Sequence, residues 1–182
     1  MFRFSHERGN SQESQPFFTL AQQDCESLKL RLSQTPAEDR HEGLEHQLSL
    51  LLGEVHYNSG CIATETNKPK DALSHFEVLN QMMCEELGPD STDIRLAISW
   101  NELGNGRMMN KQWESAIICF EKSIEIQKRQ PDFTKTSLSF PLVNLGFAYW
   151  VLGQLEQAER VCQEALLDRQ EAHGIDDGKS FM

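Results

Sequence analysis

Apolar side chains recur along most of this chain at every third or fourth position, which is the spacing of an amphipathic α-helix. The stretch from Trp113 to Ile124 is an example, and residues 142–149 and 155–166 show the same spacing. Alternation of apolar and polar residues, which is typical of a half-buried strand, never extends beyond a few positions. The pattern therefore predicts an all-α fold.

Breaks of two lengths separate the helical stretches. The short breaks, expected to join the two helices of a pair, are Asn67-Lys68-Pro69, Asn110-Lys111 and Gly153-Gln154. The longer breaks, expected to join one pair to the next, are Gly88-Pro89-Asp90, Gln130-Pro131-Asp132 and Gly174-Ile175-Asp176. In the first of these, Gly88 and Pro89 should end one helix and Asp90 should cap the next. Each block is thus predicted to contain helix A, a tight turn, helix B and a longer turn.

Small residues mark equivalent positions in three successive blocks. Gly60, Gly104 and Gly146 recur at nearly equal intervals (44, then 42), and an alanine at +12 and a large or apolar residue at +16 repeat the same intervals. Because glycine in a helix costs about 1 kcal/mol relative to alanine, three glycines at this spacing need a packing reason. We expect each glycine to lie where helix B crosses most closely, with the alanine as its counterpart and the residue at +16 projecting between helices. The alanines are Ala72, Ala116 and Ala158, and the third series is Phe76, Phe120 and Cys162.

Further residues in the second and third blocks extend the pattern. The second block has Trp100 and Leu103 before its glycine, and the third has Leu145 before and Tyr149 after its glycine. Together with the alanine series and the third series, they resemble the tetratricopeptide repeat, and the long spacing is similar to that of kinesin light chains. The resemblance covers residues 46–182 and implies a right-handed α-solenoid of three helix-turn-helix units with an extra N-terminal helix. The packing residues that it implies are Gly60, Ala72, Phe76, Trp100, Gly104, Ala116, Phe120, Gly146, Tyr149, Ala158 and Cys162.

The expected domain boundaries follow the blocks and the composition of the two ends. Residues 1–15 are polar and are expected to be disordered, whereas the apolar positions from Phe17 to Leu32 predict a helix. The segments are a tail (1–15), an N-terminal helical cap region (16–45), three repeats (46–90, 91–132 and 133–174), and the start of a missing fourth repeat or a C-terminal tail (175–182). The first helix A should begin near residues 37–42. Since no capping helix follows the third repeat, the last helix is expected to face a further repeat, a partner or a second copy.

The charge balance narrows the possible partners. The 182 residues include 28 Asp and Glu against 17 Lys and Arg, so the formal net charge is −11 and the pI is about 5.0. Such a balance disfavours binding to nucleic acids and to anionic membrane surfaces, both of which attract basic side chains. No apolar run approaches the roughly 20 residues of a membrane span, and residues 1–8 lack the apolar stretch of a signal peptide. We therefore expect a soluble, cytoplasmic protein.

In the family that the chain resembles, residues of helix A line a concave face that binds peptides. An asparagine amide offers both a donor and an acceptor, so it can pair with the backbone of an extended peptide. Methionine and aromatic residues at neighbouring positions would form an adaptable apolar patch. Because Glu65 and Glu102 are near these positions and basic residues are missing, the expected partner is a neutral-to-basic, partly apolar protein segment. The residues expected to bind it are Asn58, Asn101, Asn105, Met108, Asn144, Phe147 and Trp150.

The sequence predicts no catalytic residue, cofactor or metal site. His41 and His46 are separated by five positions, which puts them about 140° apart around a helix and prevents them from sharing a metal ion. The leading hypothesis is therefore a non-enzymatic interaction scaffold or adaptor that binds a peptide segment of a partner. The alternative is a structural module that forms a homo-oligomer by stacking through its C-terminal helix. A third hypothesis is a small-molecule or enzymatic site in the groove.

Overall fold

The computed structural model describes residues 11–36 and 43–173, and all of its regular structure there is helical, as predicted. The helices are α1 (Ser11–Gln34), α2 (Leu44–Glu65), α3 (Pro69–Leu87), α4 (Ile94–Met109), α5 (Trp113–Lys128), a short 3₁₀ helix (Lys135–Leu138), α6 (Ser139–Val151) and α7 (Leu155–His173). The chain divides into two compact units, Met1–Met82 and Met83–Met182. None of the helices in the described ranges has the length and apolar character needed to cross a membrane.

Helix α1 begins earlier than the apolar pattern predicted. It starts at Ser11, so residues 11–15, which were expected to belong to a disordered tail, are helical. Glu13 lies in the first turn, where its carboxylate interacts favourably with the helix dipole. Gln15 accepts a hydrogen bond from Lys68 Nζ at 2.9 Å. The spacing of apolar residues does not show polar contacts of this kind, so it did not predict this part of the helix. The predictions for residues 1–10, 37–42 and 174–182, which include the break at Gly174-Ile175-Asp176, lie outside the described residues.

In the first unit, α1 and α2 pack together through buried apolar side chains. The centre of this contact consists of Cys25, Leu48 and Leu52, with Leu32 and Met82 partly buried against it. Helix α2 begins directly after Gly43, whose φ of 81° lies in the left-handed region that glycine adopts without strain. The glycine thus allows the chain to turn sharply into α2.

A pair of histidines links α2 and α3 within the first unit. Nδ1 of His56 and Nδ1 of His75 are 3.1 Å apart, so one ring donates a hydrogen bond to the other. Burial lowers the pKa of both rings, and the neighbouring His75 lowers the pKa of His56 further. Glu26 raises the pKa of His56 and Asp71 raises that of His75, but both effects are smaller than that of burial. The folded unit therefore favours two neutral imidazoles joined by one N–H···N hydrogen bond.

We expect the first unit to lose stability as the pH falls from about 7 to 5. A histidine with a lowered pKa in the folded state stabilises the fold fully above its unfolded pKa of about 6.5. This stabilisation is lost as the pH falls through the lower, folded pKa, because the unfolded chain binds the proton more readily. Urea unfolding followed by circular dichroism at several pH values would measure the change.

The three tryptophans, Trp100, Trp113 and Trp150, all belong to the second unit, so tryptophan fluorescence follows that unit separately. The pH dependence should therefore be larger by circular dichroism than by fluorescence. Replacing His75→Gln should reduce this pH dependence, because the contribution of His75 and its effect on the pKa of His56 are both removed, whereas His46→Gln, at an exposed position of α2, should leave it unchanged. An unchanged pH profile in the His75→Gln variant would contradict the role given to the pair.

The second unit buries a continuous apolar core beneath α5, α6 and α7. Phe120 from α5 and Leu142 from α6 are almost completely buried in it, and the 3₁₀ helix adds Leu138. The buried residues of this core are Ala116, Ile117, Phe120, Ile124, Leu138, Leu142, Leu145, Ala148, Val161 and Ala165. Ser123 is also buried, and its hydroxyl donates to the carbonyl of Ala97 in α4 at 2.8 Å. The core thus holds α6 in place between its neighbours.

The turn before α4 differs from the expected one in its capping residue. Gly88 follows α3 with a φ of 83°, and its N–H donates to the carbonyl of Cys84 at 3.0 Å. The N-cap of α4, however, is Asp93 instead of the predicted Asp90, and its Oδ1 accepts the N–H of Arg95 at 2.9 Å. The Arg95 guanidinium also binds this carboxylate and lowers the pKa of Asp93. The pairing with Arg95 favours Asp93 as the cap and moves the start of the helix three residues along.

The three short breaks share one backbone conformation. Asn67, Lys111 and Gly153 have φ values of 55°, 61° and 74°, and they recur at the same intervals as the helix A glycines. In each turn the next N–H donates to the carbonyl four residues before the left-handed residue. These bonds are Lys68 to Ala63 (2.8 Å), Gln112 to Arg107 (2.9 Å) and Gln154 to Tyr149 (3.0 Å). The repeat found in the sequence is therefore also a repeat of backbone geometry.

Each repeat-spaced glycine faces its partner in the third series, which supplies the atom nearest to the position of a glycine Cβ. A Cβ placed on the glycine would lie within 3 Å of that side chain in all three pairs. The pairs are Gly60 with Phe76 (2.4 Å to Cε1), Gly104 with Phe120 (2.5 Å to Cε1) and Gly146 with Cys162 (2.6 Å to Sγ). An aromatic ring reaches farther than an alanine methyl, so it fills the space left by the glycine. The alanines Ala72, Ala116 and Ala158 are themselves buried.

The two other packing residues implied by the resemblance are partly buried. Lys122 Nζ lies 4.5 Å from the centre of the Trp100 ring, which is a cation–π contact. Tyr149 packs against the core of the second unit, and its hydroxyl donates to Glu121 Oε1 at 2.8 Å. Burial and this carboxylate raise the pKa of Tyr149 to about 12, so the hydroxyl keeps its proton at neutral pH.

Candidate functional site

Asparagine side chains from α4 and α6 meet around one carboxylate in the second unit. Nδ2 of Asn101 donates to Oε1 of Glu102 at 3.0 Å, and Nδ2 of Asn105 donates to Oε2 at 3.1 Å. From α6, Nδ2 of Asn144 donates to Oδ1 of Asn105 at 2.9 Å and lies 3.5 Å from Oδ1 of Asn101. Asn101 and Asn105 are one turn apart, which brings both amides to the same side of α4. We call these four residues the amide cluster.

Glu102 is the ionisable residue of the amide cluster. Within the described residues, its carboxylate is bound by two amides and forms no salt bridge with a lysine or arginine. Burial raises the pKa of this carboxyl, and the hydrogen bonds from Asn105 and Asn101 oppose the rise. All four residues of the cluster are partly buried, so part of it remains open to solvent.

Helix α6 is apolar around most of its circumference, yet one of its faces is uncovered. The helix contains no charged residue, and helices of this composition are normally enclosed. Five of its large apolar side chains are nevertheless exposed: Val151 (37%) at its end and, before it, a set of four, Phe140 (71%), Val143 (49%), Phe147 (45%) and Trp150 (60%). Within this set of four, separations of three, four and three residues place the side chains on one side of the helix. We call these four residues the α6 surface.

Aromatic rings at one end of the α6 surface contact one another. The ring centroids of Phe147 and Trp150 are 5.8 Å apart, and Trp113, the first residue of α5, meets Phe147 edge-on at 6.1 Å. Separations and orientations of this kind are favourable for aromatic pairs. The contacts therefore hold the Phe147 ring between two tryptophans.

The amide cluster and the α6 surface are neighbours along α6. Asn144 follows Phe140 by four residues and precedes Phe147 by three, so the two rings lie one turn before and one turn after it. The second unit thus presents a polar centre flanked by exposed aromatic groups. This arrangement offers hydrogen-bond acceptors, a carboxyl group and apolar area in one place.

Most of the residues expected to bind a peptide belong to this site. Those in it are Asn101, Asn105, Asn144, Phe147 and Trp150. Met108 is instead partly buried against the core of the second unit. Asn58 belongs to the first unit, on α2, where its Nδ2 donates to the carbonyl of Glu54 at 2.7 Å. A binding role for each of the seven residues stays a prediction.

Trp113, Phe140 and Val143 belong to the site but were absent from the predicted set. The spacing of Trp113 fits the apolar face of helix B. It therefore predicted a core position and gave no sign of the contact with Phe147. Its position as the first residue after the short break was the available signal, because the start of α5 lies against α6, which is helix A of the following pair. For Phe140 and Val143, the signal was the lack of any charged residue between residues 139 and 151.

Comparison with known proteins supports the same fold. Residues 142–177 match the family model of the tetratricopeptide repeat. Seventeen solved chains match the structure. One is the crystal structure of BtubC (BKLC) from P. vanneervenii, with a TM-score of 0.68 and 19% sequence identity; the match covers 91% of this chain and 59% of that one. No curated protein matches the sequence.

The present chain thus spans well under two thirds of the solved chain, and at 19% identity the likeness shows the fold alone. The matched model includes Leu142, Leu145, Gly146, Tyr149 and Ala158, which carried the resemblance in the third block. The predicted resemblance is therefore confirmed. Residues 142–177 are similar to the tetratricopeptide repeat, and the chain has an all-α helical-repeat fold.

Proposed function

We propose that this protein is a non-enzymatic interaction module that binds a segment of a partner protein on the α6 surface and the adjoining amide cluster. Tetratricopeptide repeats typically act as protein interaction modules. The observation that carries the proposal is the uncovered apolar face of α6. Contiguous exposed apolar patches are uncommon on soluble proteins and mark interaction sites.

The chemistry of the site fits an extended protein segment. Asparagine amides can pair with both the N–H and the carbonyl groups of a peptide backbone. Exposed aromatic rings such as Phe147 and Trp150 provide the large, rigid contacts that dominate many protein interfaces. The polar centre would therefore orient the segment, and the aromatic groups would supply most of the binding energy.

Replacing both Phe147→Ala and Trp150→Ala should weaken peptide binding by at least about tenfold, because truncated aromatic anchors commonly cost more than about 1–2 kcal/mol. The ligands would be short peptides selected from a random phage-displayed library against the full chain. The selected peptides would be synthesised with a fluorophore, and their affinities measured by fluorescence anisotropy. The double variant loses the ring contacts of Phe147 with Trp113 and Trp150, but neither side chain belongs to the buried core, so it should remain folded, as circular dichroism would verify.

The matched control is Phe17→Ala. Phe17 is also an exposed aromatic residue (73%), but it lies on α1 in the first unit. This variant should bind the selected peptides as tightly as the wild type. If the double variant binds them equally well, or if the library yields no binder, the proposed site is wrong.

Helix α7 carries a second candidate function, self-association. Leu155, Leu166 and Leu167 are exposed on this helix, which also suits contact with a second copy of the chain. Sedimentation across a range of concentrations separates the two candidates. A mass that rises with concentration favours self-association, whereas a constant mass with peptide binding favours the interaction module.

A further inference from the structure

The hydrogen bonds of the amide cluster all run in one direction. Asn101 and Asn105 each present Nδ2 to the Glu102 carboxylate, and Asn144 presents Nδ2 to Asn105. Reversing the amide of Asn101 or Asn105 would place a carbonyl oxygen against a carboxylate oxygen. The two carboxyl oxygens of Glu102 therefore set the orientation of the amides, and Asn144 Oδ1 accepts none of the four hydrogen bonds of the cluster. Taken together, the cluster offers acceptors to a ligand.

A carboxylate in this setting has capacity for a cationic donor. Each of its two oxygens accepts one amide hydrogen bond, while an ionised carboxylate has about four acceptor positions. Withdrawing a carboxylate from water without a cation is unfavourable, which is why burial raises the pKa of Glu102. A ligand cation beside the carboxylate would offset this cost.

The aromatic neighbours of Asn144 suit the same kind of ligand. Phe140 and Phe147 lie one turn to either side of it on α6. Aromatic faces attract ammonium and guanidinium groups, and they also pack against the aliphatic stems of lysine and arginine. An acidic segment would instead bring like charges to Glu102, in a chain whose net charge is already −11.

From this juxtaposition we propose that the amide cluster is a subsite for one lysine or arginine side chain of the bound segment, with Glu102 as its counter-ion. Apolar residues next to that basic residue occupy the α6 surface. This inference rests on the proposed function and specifies the chemistry of the segment that the module accepts.

The test uses a matched pair of synthetic peptides and the full chain. The first is a fluorophore-labelled eight-residue peptide with one arginine flanked on both sides by tryptophan and leucine. The second has citrulline, a neutral isostere, in place of arginine. The arginine peptide should bind the wild type about tenfold more tightly than the citrulline peptide, because a charge-assisted hydrogen bond is lost in the latter.

In Glu102→Gln the two peptides should bind with nearly equal affinity, since this variant removes the charge and keeps the size of the side chain. The control is Glu77→Gln, an exposed position of α3 in the first unit, which changes the net charge equally and should keep the tenfold preference. Circular dichroism would verify that both variants are folded.

The outcomes separate this inference from the proposed function. If the wild type binds both peptides equally, or if Glu102→Gln keeps the preference for arginine, Glu102 is not the counter-ion and the inference is overturned. In either case the loss of binding in the Phe147→Ala, Trp150→Ala variant would still support the proposed function. If the wild type binds neither peptide, the basic subsite is overturned, and the library-selected peptides decide the proposed function independently.

Discussion

Replacing Phe120 with alanine should destabilise the second unit by about 3–5 kcal/mol, the usual cost of removing a fully buried phenylalanine ring. The Phe120 ring has no exposed area and occupies the space beside Gly104. Alanine would leave a cavity between α4, α5 and α6 that the backbone can close only in part. Urea unfolding followed by tryptophan fluorescence would measure the loss.

The equivalent position of the next helix pair supplies the control. Cys162 stands in the same relation to Gly146 as Phe120 does to Gly104, but its side chain is exposed. Cys162→Ala should therefore change the free energy of unfolding by no more than about 0.5 kcal/mol. If the two variants lose similar amounts of unfolding free energy, burial of the side chain at this position does not determine how much it stabilises the fold.

The substitution Gly104→Ala should destabilise the second unit by about 1–3 kcal/mol, although alanine is the better helix former. The added methyl would lie 2.5 Å from Phe120 Cε1, and the ring is enclosed on all sides and has nowhere to move. Gly146→Ala should cost less, because the atom it meets is the Sγ of the exposed Cys162, which can rotate away. Chemical denaturation of the two variants gives the comparison.

A double-mutant cycle tests whether steric overlap between the added methyl group and the Phe120 ring causes the loss of stability in Gly104→Ala. In the Phe120→Ala background the ring is absent, so Gly104→Ala should change from destabilising to stabilising, by up to about 1 kcal/mol. If the two substitutions are additive instead, the glycine is required for a reason other than the Phe120 ring.

The helical fold and the repeat were predictable because they depend on local and periodic signals. The three- and four-residue spacing around Phe120 is a property of one helix, and the glycine series depends only on counting along the chain. Even the tight turns were marked by short polar breaks. The left-handed residues Asn67, Lys111 and Gly153 lie in those breaks.

The composition of the site depended on contacts between helices, which periodicity does not specify. The asparagines at 101, 105 and 144 were expected to face a ligand, but nothing in their spacing shows that they bind one another and Glu102. Trp113 looked like a core residue because its spacing fits the buried face of α5. The N-cap Asp93 was missed for a related reason, since the turn contains two aspartates, Asp90 and Asp93, and the pairing of Asp93 with Arg95 is a side-chain contact that periodicity does not show.

The left-handed residues at the tight turns have a consequence for how the helix pairs form during synthesis. A left-handed conformation costs an ordinary residue such as Lys111 on the order of 1 kcal/mol, whereas a glycine such as Gly153 adopts it freely. The nascent chain therefore visits the turn between α6 and α7 more often than the turn between α4 and α5. The α6–α7 pair leaves the ribosome after the α4–α5 pair, and its turn forms readily because Gly153 favours the required conformation. The earlier turn, at Lys111, is instead stabilised by the packing of the two helices that it joins.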